Sequence, residues 1–269
     1  LNEKVQDALE RLEQGLKTLL SEEKWKNYLR FQAQFHSYSF QNTLLILFQC
    51  PNARHVAGYQ AWKKLGRHVR KGEKGITIIA PMLVKEKDDE TEEFGKTVLK
   101  GFRGATVFDI SQTEGEPLPE IPIHRLQGAW ENWSTIRTAC PFPIDEKDDL
   151  EGANGCFHVA TQRISLLESL EGRHKAKTLI HEWAHGLLHV PSEEKVVNTK
   201  IRELEAESVA FVVADALGLD TSSYSFGYIA HWSGENALDQ LKASGMRIQK
   251  AANRILDSIL PNLLLQQAS

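Results

Sequence analysis

Residues 178–190 read TLIHEWAHGLLHV, an apolar run interrupted by three histidines and a glutamate. A helix that packs its apolar side chains into a core cannot carry His181, Glu182, His185 and His189 without partners for them. Each buried polar group left unsatisfied costs on the order of 1–3 kcal/mol. In a helix, residues four apart stand on one face about 5–6 Å from each other. His181 and His185 are therefore placed to hold a single ion between two imidazoles. Glu182, about 100° further round the helix, can reach a water on that ion without binding the ion itself. This is the division of labour of an HExxH site: two ligands and a general base, with a zinc ion lowering the pKa of its water towards about 7.

Such a site needs a third protein ligand. His189 lies two turns from His181, about 11 Å by helical pitch, whereas zinc–nitrogen bonds are only about 2.0–2.1 Å long. Pro191 occupies the position ten residues after His181 where a further histidine could have served. The better source is RELEAESVAF, residues 202–211, in which Glu203 and Glu207 are four apart and share a face. Ala206, Val209, Ala210 and Val213 place this helix in the core, where two carboxylates on one face are costly unless something binds them. Glu203 is expected to be the ligand and Glu207 to stand behind a ligand histidine, with the reverse assignment open. Glu205, about 200° from Glu203, is expected to be solvated or paired with a base. Zn2+ is the expected metal, with Mn2+ or another divalent ion as the alternative, and Glu182 the expected catalytic base. Tyr224, Tyr228 and His231 are the nearest donors by sequence for an oxyanion. RISLL, residues 163–167, could offer a sheet edge to an extended substrate.

The rest of the chain reads as α+β. Helical spacing runs through residues 3–20, from Glu22 to about His36 behind a Ser21 cap, and through FQNTLLILFQ up to Pro51. GITIIAPMLV and TVLKGFRGATVFDI read as strands joined by the acidic tract KEKDDETEEFGK, a hairpin tip. QTEGEPLPEIPI, residues 112–123, has three prolines and no periodicity and reads as a linker between domains at 1–120 and 126–269. Beyond it, CFHVA and RISLL form an expected hairpin, and DEKDDLEG reads as a surface loop. Helical patterns follow near residues 172–190, 194–218 and 235–264. Three cysteines with no CxxC pair argue against a disulfide framework or a cysteine zinc site and suit a reducing cytoplasm. No apolar run reaches the roughly 20 residues that span a bilayer, and the first residues do not read as a secretory signal.

The net charge of −4 excludes a uniformly basic coat, but it conceals a local excess. From Pro51 to Ile76, seven bases (Arg54, Lys63, Lys64, Arg67, Arg70, Lys71 and Lys74) face one acid, Glu73. Tyr59 and Trp62 are interleaved with them. Phosphates meet lysine and arginine while bases stack on rings, so Lys63, Lys64, Arg67, Arg70, Lys71, Lys74, Tyr59 and Trp62 are the expected contacts to single-stranded nucleic acid.

YSFQNTLLILFQCPNARHVAGYQAWKKLGRHVRKGEKGITIIAP resembles the N-terminal domain of the ArdC antirestriction family over its whole length. GFRGATVFDISQTEGEPLP is similar to that domain's final strands, and the HExxH half resembles the family's zincin-like metallopeptidase domain. The resemblance implies an N-terminal helical and β-hairpin module that binds single-stranded DNA, joined to a metallopeptidase-like domain. It also implies carriage by conjugative plasmids and related mobile elements and protection of incoming DNA from restriction. His181, Glu182 and His185 match the family's HExxH, and ELEAE at 203–207 matches its glutamate-bearing helix. Host restriction subunits or a repressor would be the protein targets. The competing expectations are a DNA-binding shield whose metal is purely structural, and a regulatory peptidase that cleaves a repressor.

Overall fold

A computed structural model describes residues 3–87, 94–117, 133–170, 172–190, 198–226 and 236–267. The fold is mixed α+β, in two compact units: Leu1–Lys17 with Gln41–Ile121, and Thr18–Phe40 with Pro122–Ser269. Against the expected partition at 1–120 and 126–269, the segment 18–40 groups with the second unit.

The first unit contains α1 (Glu3–Thr18) up to Lys17, α3 (Phe40–Gln49) from Gln41, and α4 (Tyr59–Lys64), together with strands β1 (Val56–Gly58), β2 (Arg67–Val69), β3 (Ile76–Lys87), β4 (Phe94–Asp109) and β5 (Thr113–Gly115). The strands form an antiparallel sheet of order β1-β4-β3 and a small β2-β5 ribbon. The start of the expected linker is therefore a strand, held by pairing of Arg67–Val69 with Thr113–Gly115, and residues 118–123 lie outside the described residues. The tip of the β3–β4 hairpin, 88–93, also lies outside them. The outer edge of β3 is closed by two amide side chains of α3. Asn42 exchanges both hydrogen bonds with the backbone of Ile79 (2.9 and 2.9 Å), and Gln49 does the same with Thr77 (2.9 and 3.0 Å). An open strand edge is a template for unwanted pairing, and here side chains satisfy it.

The second unit holds α2 (Glu22–Gln34), α5 (Trp133–Ala139), α6 (Gly172–Leu188), α7 (Thr199–Ala216) and α8 (Ala237–Gln267), with strands β6 (Ile144–Lys147), β7 (Gly155–His158) and β8 (Arg163–Leu167). Ser21 caps α2, its hydroxyl accepting from the Lys24 amide. Helix α7 is the centre of the core: Ala206, Val209, Ala210, Phe211, Val212, Val213 and Ala214 are fully buried. Around it lie Leu179, Ile180 and Trp183 of α6, Trp25 and Leu29 of α2, and Leu241, Ile248 and Ile255 of α8. The indole of Trp25 donates to Ser208 of α7 (3.0 Å).

The three strands are ordered β6-β8-β7, with β8 parallel to β6 and antiparallel to β7. Two expectations are corrected here. RISLL is the central strand, and its fully buried Ile164 and Leu166 explain why it cannot be an edge. DEKDDLEG begins inside a strand, because Asp145 is bridged by Arg163 (2.7 Å) and Glu146 by Lys175 (2.8 Å), which makes an acidic segment tolerable in a sheet. Among the described residues, the edge strand beside the HExxH helix is β7. It approaches that helix closely: a Cβ on Gly155 would lie 2.7 Å from Thr178 and 2.9 Å from the Glu182 side chain. Gly186 likewise leaves room on α6 for the rings of Phe142 and Phe157.

Candidate metal centre and nucleic-acid surface

Helices α6 and α7 bring His181, His185 and Glu203 together, the group whose ligand atoms all lie within 4.8 Å of one another. The Nε2 atoms of the two histidines are 3.1 Å apart. Glu203 reaches both, Oε2 to His181 and Oε1 to His185, at 3.5 Å each. A tetrahedral ion with bonds of about 2.0–2.1 Å spaces its ligand atoms roughly 3.3 Å apart. The two imidazole nitrogens are close to that spacing and a carboxylate oxygen lies near each of them, and this chemistry, two imidazoles and a carboxylate, suits a divalent transition metal. Glu207 stands one turn along α7 with its Oε2 3.1 Å from His181 Nδ1. That contact turns the Nε2 of His181 towards Glu203.

The charges here are mutually stabilising. Burial opposes charge on His181, but Glu203 and Glu207 outweigh it and push the imidazole pKa up to about 10. His181 and His185 in turn hold the Glu203 carboxyl well below the usual carboxylate range. Glu182 is different. It is 8% exposed, and burial raises its carboxyl pKa against the pull of His181 and His185 and a hydrogen bond from the Phe157 amide of β7. A carboxyl lifted in this way holds and returns a proton more readily than a solvated one.

A cavity of about 350 Å³ adjoins the site, lined in part by Gly155, Lys177, His181, Glu182, Glu207 and Tyr224. The Tyr224 hydroxyl is buried with no hydrogen-bond partner among the described residues, and burial and nearby Glu207 raise its pKa. Tyr228 and His231, the other expected oxyanion donors, lie outside the described residues.

Behind the ligands the sequence reading needs amendment. Glu205 is wholly buried and not solvated; of the two expectations for it, pairing with a base is the one found, and the base is Arg247 of α8. It also meets His189 (3.2 Å), whose other ring nitrogen is 3.0 Å from that of His185. The sequence carried one signal for this cluster, the spacing of His181, His185 and His189 down one face of α6. Ser244 and Arg247 had none.

In the first unit, Lys63, Lys64, Lys71 and Lys74 are exposed, and Tyr59 is 51% exposed. One expected contact is corrected. Trp62 is 1% exposed and donates its indole N–H to the Phe108 carbonyl (2.9 Å), so it is a core residue with no ring face to offer a base. The Arg67 guanidinium donates to Thr113, Gly115 and Glu116, and that of Arg70, whose side chain is 44% exposed, to Glu73, Ser111 and Thr113; both brace the β2-β5 ribbon. Phe102, not singled out from the sequence, is 54% exposed on β4 between exposed Lys100 and Arg103. The signal available was LKGFRG, one ring between two cations.

Residues 2–108 match the family described as the N-terminal domain of anti-restriction factor ArdC. The uncharacterized protein pXO2-81 of Bacillus anthracis is 29% identical over 275 residues, covering 85% of this chain. The alignment takes in 46% of that protein, so the chain spans about half the length of this curated relative. The crystal structure of antirestriction ArdC protein from the R388 plasmid in its metal-free form is similar at a TM-score of 0.53 and 22% identity, covering 83% of this chain and 86% of that one. Its Mn(II)-bound form gives 0.52 and 19%, covering 86% and 97%. Among the described residues no helix is long and apolar enough to cross a membrane.

Proposed function

We propose that this chain is an ArdC-like antirestriction protein of a mobile element, with a first unit that binds single-stranded DNA and a second that hydrolyses a peptide bond at a divalent-metal centre. The observation that carries the hydrolytic half is that His181, His185 and Glu203 each offer a ligand atom within 4.8 Å of the other two, beside a buried carboxyl. His181, His185 and Glu203 would hold the ion. Zinc suits this donor set best, and Mn2+ is the alternative brought forward by the Mn(II)-bound R388 relative. When bound, such an ion supplies Lewis acidity for a carbonyl and a water acidified towards pH 7.

The chain's own residues do the rest. Glu182 takes the proton of the attacking water and returns it to the leaving amine. Edge strand β7 lies against α6 beside Glu182 and offers backbone pairing to an extended peptide. Tyr224, whose hydroxyl is unpartnered among the described residues, is the donor for the developing oxyanion. In the first unit, Lys63, Lys64, Lys71 and Lys74 meet phosphates, while Tyr59 and Phe102 offer rings to bases. The protein target is a host restriction subunit or a repressor, met in the cytoplasm.

Elemental analysis of the wild type and of the Glu203→Ala and Glu207→Ala variants tests the centre. One equivalent of metal is expected in the wild type, near-complete loss in Glu203→Ala, and partial retention in Glu207→Ala. Glu182→Gln is expected to keep the metal and lose protection against restriction. Full protection by that variant would remove hydrolysis from the mechanism and leave a DNA-binding shield with a structural metal.

A further inference from the structure

We infer that His189 and Glu205 are positioning residues that fix the proton of His185 on Nδ1 and so present its Nε2 lone pair to the metal centre; the inference rests on the reading of that centre given above. The argument starts from the buried carboxylate. Glu205 Oε1 accepts from the Ser244 hydroxyl (2.5 Å) and from the Arg247 guanidinium, which also reaches Oε2 (3.3 Å). A guanidinium is always charged, so its partner here is an ionised carboxylate that can only accept. His189 Nε2, 3.2 Å from Oε2, must then carry a hydrogen and donate it.

The consequence passes through the ring. The His189 and Glu205 side chains are 2% and 0% exposed, and the two Nδ1 atoms that face each other at 3.0 Å have room for one hydrogen between them. With its hydrogen on Nε2, His189 presents a bare Nδ1. His185 Nδ1, 3.0 Å away, must be the donor. Its Nε2 is left with a free lone pair, and that atom is the one 3.1 Å from His181 Nε2 and 3.5 Å from Glu203.

The two ligand histidines thus turn the same ring nitrogen, Nε2, towards Glu203 by different routes. His181 is set directly by Glu207 at 3.1 Å. His185 is set at one remove, through a second imidazole, by a carboxylate that is itself locked by α8. Groups that orient metal-ligating histidines typically change metal affinity by about 10–100-fold when removed.

The test has two arms. In the first, long-range ¹H–¹⁵N correlation spectra of the metal-free wild type report which ring nitrogen of each histidine is protonated. The expected result is Nδ1–H on His185 and Nε2–H on His189; the opposite tautomer on either ring overturns the relay, and no variant need fold for this to be read. In the second, Co2+ affinity by chelator competition and the Co2+ visible spectrum are compared for wild type, Glu205→Gln and His189→Phe, with thermal unfolding of the metal-free proteins recorded alongside. A loss of about 10–100-fold in affinity with a shifted cobalt spectrum is expected, and His189→Gln, whose amide oxygen can accept from His185, should recover part of it. Affinity within twofold of wild type in folded variants would overturn the relay while leaving the centre standing. A wild type that takes up no metal would sink the centre instead, and the tautomers of the first arm would still decide the relay.

Discussion

Asp109, at the end of β4, offers the sharpest test of how the first unit is held together. Its side chain is 1% exposed and accepts four hydrogen bonds: from the backbone amides of Arg54 (2.7 Å), His55 (3.0 Å) and Ser111 (2.9 Å), and from the Ser111 hydroxyl (2.6 Å). These pin the segment that leads into β1 and the turn that leads into β5. At roughly 0.5–1.5 kcal/mol per bond, Asp109→Ala should cost about 2–6 kcal/mol. Asp109→Asn keeps one carbonyl oxygen for Arg54 and His55 but turns an amide N–H₂ towards Ser111, and about half of that loss is expected. Burial pushes the Asp109 carboxyl up, but the four donors outweigh it and hold its pKa below the ordinary value. Its contribution is therefore present above the unfolded pKa of about 3.9 and is lost as pH falls through the lower, folded value. Urea unfolding at pH 7 and again below pH 4, with amide exchange at Arg54, His55 and Ser111, measures all of this. The gap between wild type and Asp109→Ala should narrow on acidification. A difference under about 0.5 kcal/mol at pH 7, or one that widens in acid, would refute the reasoning.

Three further outcomes are expected. Gly155→Ala places a Cβ 2.7 Å from Thr178 and 2.9 Å from the Glu182 stem, so it should lose about 1–3 kcal/mol of stability. Gly152→Ala, with a φ of +88° but open space around it, should lose about 1–2 kcal/mol and leave the Glu182 surroundings intact, a contrast readable by crystallography and calorimetry. Reversing the charges of Lys63, Lys64, Lys71 and Lys74 should abolish single-stranded DNA binding measured by fluorescence anisotropy, and wild-type affinity should fall steeply with salt; binding indifferent to both would remove the DNA claim. Arg247→Met should destabilise the protein by about 3–5 kcal/mol, because it strips the guanidinium from wholly buried Glu205. Unchanged urea unfolding would contradict that.

Much of the centre was legible because helical spacing is a strong ruler. Four-residue intervals in α6 and α7 fixed which side chains of each helix could converge, and apolar neighbours such as Ala206 and Val209 said that both helices were buried. What escaped had partners far along the chain. Glu205 could not be placed as a hub when Ser244 and Arg247 lie some forty residues on, in another helix. Strand β6 was hidden because its acids carry no β signal, and only Arg163 and Lys175 make them tolerable. Composition misled at Trp62 in the basic stretch, because an aromatic among bases carries no mark of whether its ring faces solvent or, as here, fills the core.

The amides of Asn42 and Gln49 bear on how the long hairpin can vary. Together they make four bonds to alternate residues of β3, and a slip of one residue would forfeit all four at once. The seating of β3 on α3 is thereby settled near the start of the strand, at Thr77 and Ile79. Changes of length or charge between β3 and β4 should leave that seating as it is.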